Sequence, residues 1–349
     1  MPDPASVRLT DGVRLHVDVS GPESAPLTVV LLHGWTLDGR TWHRQVDALR
    51  QRYGDAVRVV RYDARGHGRS GPSTLGTATL DQLGDDLAEV LAQVAPTGPV
   101  VLAGHSMGGM TVMEYAHRHP GDFARRVAGL VLVATTAEGH THTCYGVPAP
   151  LARLIRIAET NCAGVLARFG GWRTPPPLLH VLRPTLRWLL FGDDCDPADI
   201  RLTTSAVARA SLVSIGGFRP SIGAQRRLET LTALGDLPVA ALVGDRDRLT
   251  PPPCTVSITE ALPSTELTIC PGAGHMLMLE RPDEVTAALH SVVDRVRPVR
   301  RISRKAAATA NRRRRARIVS EQPRRAGATH GVPRPAPGTA DLRAGAAGR

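Results

Sequence analysis

Polar and apolar positions alternate only near the start of the chain. Residues 6–9 and 13–19 show the two-residue period of half-covered strands, and Asp11-Gly12 between them supplies the turn of a β-hairpin. Beyond it the apolar residues gather in short blocks at 27–32, 57–60, 99–103, 127–133, 239–243 and 266–270. Blocks of this length are expected of strands covered on both faces.

Helical patterns lie between several blocks. Thr79, followed three residues later by Gln82, is a capping signal, and Leu80, Leu83, Leu87, Val90, Leu91 and Val94 then share one helical stripe. Pro282-Asp283-Glu284 opens a second stripe of Val285, Leu289, Val292 and Val296. Strands separated by helices imply right-handed βαβ crossovers and an α/β fold with a mostly parallel sheet.

One interval breaks the rhythm. Between the strand ending near Ala134 and the one starting at Val239 lie about 100 residues, far more than a crossover needs. Residues 137–222 hold six of the chain's twelve aromatics: Tyr145, Phe169, Trp172, Trp188, Phe191 and Phe218. We read this segment as a helical insertion over the carboxyl edge of the sheet. Most of its aromatics should pack in its own small core, with one or two reaching a substrate. The expected organisation is a core of residues 1–136 and 223–297, a helical cap at 137–222 and a tail at 298–349.

Charge changes the picture only for that tail. From Arg297 onwards 15 Lys or Arg stand against two acids, whereas the preceding 296 residues carry 28 against 30. The overall charge of +11 therefore says nothing about partners of the folded body. Rich in Arg, Ala, Gly and Pro, the tail lacks the apolar surface to fold alone, and is expected to be a disordered, solvated extension. The run Arg312-Arg313-Arg314-Arg315-Ala316-Arg317 offers phosphate binding, to nucleic acid or an anionic surface, as the alternative. Five cysteines without paired spacing argue against a disulfide framework or a zinc site. With no leader pattern at the amino terminus and no apolar run near the roughly 20 residues that span a bilayer, the expected compartment is the cytoplasm.

Ligands of open parallel sheets bind at the carboxyl ends of the strands, so the residues after each block sample the site. They are His33-Gly34-Trp35, the loop from Asp63 to Ser70, Gly104-His105-Ser106-Met107-Gly108, Gly244-Asp245-Arg246-Asp247 and Gly272-Ala273-Gly274-His275. Gly-x-Ser-x-Gly between a strand and a helix is a nucleophile elbow, in which glycines at 104 and 108 make room for a strained serine. A serine hydroxyl needs a base, and the base needs an orienting acid. His275 is the one histidine at a late strand end. Asp245 and Asp247 both qualify as the acid; we prefer Asp247, because two more residues let the chain curl towards His275. The backbone N–H groups of Trp35 and Met107 are the natural oxyanion donors. The Trp35 indole walls the acyl pocket or merely packs, and His33 is expected to brace its own loop.

Taken together, these stretches resemble the α/β-hydrolase fold, in the serine-hydrolase branch with a helical cap, over about residues 6–297. The resemblance implies an eight-stranded sheet flanked by helices, with Ser106 as nucleophile, Asp247 as acid and His275 as base, and a mainly structural Asp63–Ser70 loop. Epoxide hydrolases and haloalkane dehalogenases of this fold carry aspartate at the elbow, and hydroxynitrile lyases add an active-site lysine. Here the elbow holds serine, and the only lysine is Lys305 in the tail. The expected activity is hydrolysis of a carboxylic ester of a moderately apolar small molecule, esterase- or lipase-like, through an acyl-enzyme and without cofactor or metal. Thioesterase, lactonase, carbon–carbon hydrolase and cofactor-free perhydrolase or haloperoxidase-type activities share the same triad, and a non-catalytic ligand-binding homologue is the remaining alternative.

Overall fold

The computed structural model describes residues 6–296 except residue 144 and the side chain of residue 176. The disordered tail expected at 298–349 lies outside the described residues.

Along the chain run β1 (Ser6–Arg8), β2 (Arg14–Ser20), β3 (Thr28–Leu32), α1 (His43–Tyr53), β4 (Arg58–Tyr62), α2 (Leu80–Val94) and β5 (Val100–His105). Then come α3 (Met107–Arg118), α4 (Pro120–Arg126) and β6 (Val127–Val133), followed by α5 (Ala149–Ala167), α6 (Pro176–Leu190), α7 (Pro197–Val207), α8 (Leu212–Ala224) and α9 (Leu228–Thr232). The chain closes with β7 (Val239–Gly244), α10 (Pro252–Ala261), β8 (Glu266–Cys270), α11 (Leu277–Glu280) and α12 (Pro282–Val296). The eight strands form one sheet in the order β1-β2-β4-β3-β5-β6-β7-β8. β1 and β2 pair antiparallel, as does β2 with β4; every pair from β4 to β8 is parallel. The mostly parallel, helix-flanked sheet expected from the apolar blocks is therefore present.

Local chemistry explains the elements. The hairpin turns at Gly12, whose φ of 87° suits a residue without Cβ. Thr79 caps α2 by accepting the Gln82 N–H, while the Gln82 side chain donates forward to Asp86 instead of closing the box. The whole stripe from Leu80 to Val94 is buried. In α12, Val285, Leu289 and Val292 are buried as read, joined by Val293.

Strands β3, β5 and β7 are buried throughout, and β6 nearly so, as their unbroken apolar sequences demand. β8 corrects the expectation of cover on both faces: only Cys270 is buried. The reason is position. β8 ends the sheet and pairs with β7 alone, so its Leu267 and Ile269 stay exposed. Between β6 and β7 the chain does form a helical excursion, and α8 continues past residue 222 to Ala224. From β3 the chain crosses to β4 on one side, then returns to β5 on the other. The crevice between the loops after β3 and β5 is thus a topological switch point.

Candidate active site

β5 passes into α3 through Ser106 alone, at φ 50° and ψ −116°. This backbone conformation is unfavourable for any residue with a side chain. It persists because the elbow is tied from both sides: the Ser106 N–H donates to the Val133 carbonyl at 3.0 Å, and the Thr135 hydroxyl to the Ser106 carbonyl at 2.7 Å. A Cβ on Gly104 would lie 2.5 Å from the Gly108 carbonyl carbon, and one on Gly108 would lie 2.4 Å from the Leu32 carbonyl oxygen. Both contacts are with backbone, which cannot swing aside. Left-handed backbone at non-glycine residues occurs at Thr36, Ser106, Ala134 and Tyr145 among the described residues. Three of these four, Thr36, Ser106 and Tyr145, line one cavity.

His275 and Asp247 are buried side by side, with His275 Nδ1 2.8 Å from Asp247 Oδ2. Since a carboxylate only accepts, Nδ1 carries the proton and Nε2 is left as a base. Asp247 is itself held: Oδ1 accepts the N–H groups of Leu249 and Thr250, and Oδ2 accepts the Thr250 hydroxyl. Asp245 is turned elsewhere and accepts the Gly272 N–H at 2.7 Å. Ser106 and His275 face the same cavity without a hydrogen bond between them. Such bonds commonly tighten only when substrate is present.

Three residues that support this arrangement were not singled out from the sequence. Thr250 lies against both Asp247 and His275 Nδ1. His105 donates from Nε2 to the His275 carbonyl at 2.9 Å, and burial, reinforced by the neighbouring His275, drives its pKa well below the usual histidine range. Glu280 accepts the N–H groups of Gly192, Gly274 and Met276, clamping the loop that carries His275. Burial raises the Glu280 pKa although these bonds oppose it. The only sequence trace of the clamp is an acid five residues after His275, a common occurrence.

Gly34 opens the other wall. A Cβ there would sit 2.7 Å from His105 Nδ1 and 3.2 Å from the Ser106 Cβ, so glycine allows the turn after β3 to approach the elbow. The backbone N–H groups of Trp35 and Met107 find no acceptor among the described residues. His33 is occupied at both ring nitrogens, donating to the Gly34 carbonyl and accepting from the Ala64 N–H. It braces its loop. The Asp63–Ser70 loop is likewise tied down: Asp63 accepts from the N–H groups of Gly39 and Arg69, and buried Arg65 pairs with Asp86 on α2.

The cavity encloses about 460 Å³. Ser106, His275 and Trp35 form its floor, and Leu178, Leu182 and Leu186 of α6 line it from the inserted helices. At one end Arg219 bonds Tyr145, Glu159 and His140, with its guanidinium 5.9 Å from the Trp35 ring centre. Of the six aromatics in the inserted segment only Tyr145 lines the cavity; Phe191 and Phe218 are buried, while Phe169, Trp172 and Trp188 are exposed. The expected packing into a small core thus fails for those three: Phe169 and Trp172 lie on the link between α5 and α6, and Trp188 lies at the surface with the Arg248 guanidinium 5.0 Å from its ring centre. Among the described residues no helix is long and apolar enough to cross a membrane.

The model of the Alpha/beta hydrolase family matches residues 29–288. The "Probable oxidoreductase EphD" of Mycobacterium tuberculosis is 29% identical over 296 residues, which cover 81% of this chain and 48% of that protein. The chain thus spans about half the length of that relative. The monoacylglycerol lipase of Mycolicibacterium smegmatis is 28% identical, over 77% of this chain and 88% of the relative. Among solved structures, a thermophilic esterase from Thermogutta terrifontis superposes with a TM-score of 0.66 at 25% identity, covering 85% of this chain and all of the esterase. With a family match spanning most of the chain, and with its sheet order and elbow described above, the protein belongs to the alpha/beta hydrolase family.

Proposed function

We propose that the protein is a serine hydrolase that cleaves a carboxylic ester with a moderately apolar acyl group. The observation that carries this reading is the bonded pair His275–Asp247 opening, with the strained Ser106, onto one largely apolar cavity. Likeness to a monoacylglycerol lipase and to an esterase supports the same class of bond.

Each atom then has a part. Ser106 Oγ attacks the ester carbonyl carbon as its proton passes to His275 Nε2, and Asp247 stabilises the resulting imidazolium through Nδ1–H. The carbonyl oxygen, now negative, accepts from the Trp35 and Met107 N–H groups, which have no acceptor among the described residues. Collapse breaks the bond to the leaving oxygen, which takes the proton back from Nε2 and departs as the alcohol. Water repeats the cycle on the acyl-enzyme, releasing the carboxylic acid and restoring the serine hydroxyl.

Steady-state turnover of a short p-nitrophenyl ester tests the assignment. Ser106→Ala should lower kcat by roughly 10⁴-fold or more. Asp247→Asn should cost far more than Asp245→Asn, since the Asp245 carboxylate accepts the Gly272 N–H and pairs with Arg246, whereas Asp247 bonds His275. Unchanged turnover in Ser106→Ala, or a larger loss at Asp245, contradicts the reading.

A further inference from the structure

We propose that the outer face of α5 and α6 docks onto an anionic lipid surface. α5 is built the wrong way round for a helix that packs in water. Its inner side, against α8, is the small stripe Ala152, Ala163 and Ala167, and a Cβ on Gly216 of α8 would lie 2.1 Å from the Ala163 carbonyl oxygen. Four of its six large apolar residues, Leu151, Leu154, Ile157 and Val165, are left outside, while Ile155 is half-buried and Leu166 lines the cavity. The pattern continues through the link and α6, where Trp172 is 75% and Val181 74% exposed and Trp188 is exposed as well. An ordinary amphipathic helix does the opposite, and an apolar surface of this extent marks a binding face.

Charge selects the occupant. Residues 149–190 contain six arginines, Arg153, Arg156, Arg168, Arg173, Arg183 and Arg187, and a single acid, Glu159, which is engaged by Arg219. A second copy of the chain would bring arginines against arginines across a self-complementary contact. Exposed Trp, Phe and Leu interleaved with Arg is the composition of a helix lying in the headgroup region of an anionic bilayer. Leu178 and Leu182 are both exposed on this face and part of the cavity wall, so docking sets the cavity at the lipid surface, where apolar esters partition. That last consequence rests on the ester-hydrolase reading; the docking itself does not.

Tryptophan fluorescence on the full chain tests it. Trp42 is fully buried, Trp35 lies in the cavity, and no tryptophan follows Trp188, so the Arg-rich carboxyl-terminal segment is silent in this signal. Phosphatidylglycerol vesicles with brominated acyl chains should quench the emission, and brominated phosphatidylcholine vesicles should not. The quench should vanish in Trp172→Ala/Trp188→Ala, and Arg153→Glu/Arg173→Glu should weaken partitioning roughly 10-fold or more. Both variants should hydrolyse a soluble p-nitrophenyl ester normally, which certifies their fold. Ser106→Ala should keep the quench and lose the hydrolysis, so failure of the catalytic reading is told apart from failure of docking. Co-sedimentation with vesicles without quenching, equal quenching on phosphatidylcholine, or a dimer that Val181→Asp dissociates would each overturn the proposal.

Discussion

Ser106 stores conformational energy that a smaller residue would release. At φ 50° and ψ −116° a side chain costs on the order of 1–3 kcal/mol, whereas glycine visits this region freely. Ser106→Gly should therefore unfold in urea at a free energy about 1 kcal/mol above Ser106→Ala, after allowing for glycine's looser unfolded chain. Both variants lack the hydroxyl, so the comparison isolates the backbone; equal stabilities would mean that the elbow is unstrained. That Ser106, Asp247 and His275 would meet at one edge of the sheet was legible because each follows a strand and their types complement one another chemically. Thr250 and Glu280 were not, since they act through bonds to partners that sequence order does not reveal. His105 stood in view within the elbow motif, yet nothing local to it announces a bond to the carbonyl of residue 275.

Close approach of elements is set by glycine in two different ways. Gly108 lies where α3 passes the end of β3, and Gly108→Ala would force its Cβ to 2.4 Å from a backbone oxygen. The variant should lose at least about 2 kcal/mol in a thermal or denaturant melt. Gly164, on α5, faces open space, and Gly164→Ala should gain roughly 0.5–1 kcal/mol from helix propensity alone. A gain at 108 or a loss at 164 would contradict these contacts. Apolar blocks located all the parallel strands, and for β3, β5, β6 and β7 burial on both faces leaves no alternation to misread. The same rule misjudged β8, for a composition of Leu, Ile and Thr does not say whether a strand lies inside a sheet or at its edge. It also left the direction of α5 and α6 unread: the aromatics were visible, but not which face met the protein.

Across the whole molecule, stability should depend on buried neutral histidines. Burial pushes the His67 pKa to about 3 and drives His105 well below the usual range; both side chains are fully buried. A base whose pKa is depressed by folding stabilises the fold fully above its unfolded value, near 6.5, and progressively less as pH falls below it. These two groups should together contribute about 2 kcal/mol of stability loss between pH 6.5 and 5.5, read from urea midpoints at constant ionic strength, and His140, pushed to about 3 by burial and the neighbouring Arg219, adds to the slope. His67→Gln should remove about 1 kcal/mol of that loss; a flat wild-type profile would mean that the histidines protonate inside the fold. On the ester-hydrolase reading all of this scaffold serves one hydroxyl, that of Ser106. Intact-protein mass spectrometry after treatment with a fluorophosphonate reads it directly. One adduct per chain, mapped to the peptide containing Ser106 and lost in His275→Ala at neutral pH, is the expected result. No adduct, or an adduct on another residue that persists in Ser106→Ala, would contradict Ser106 as the nucleophile.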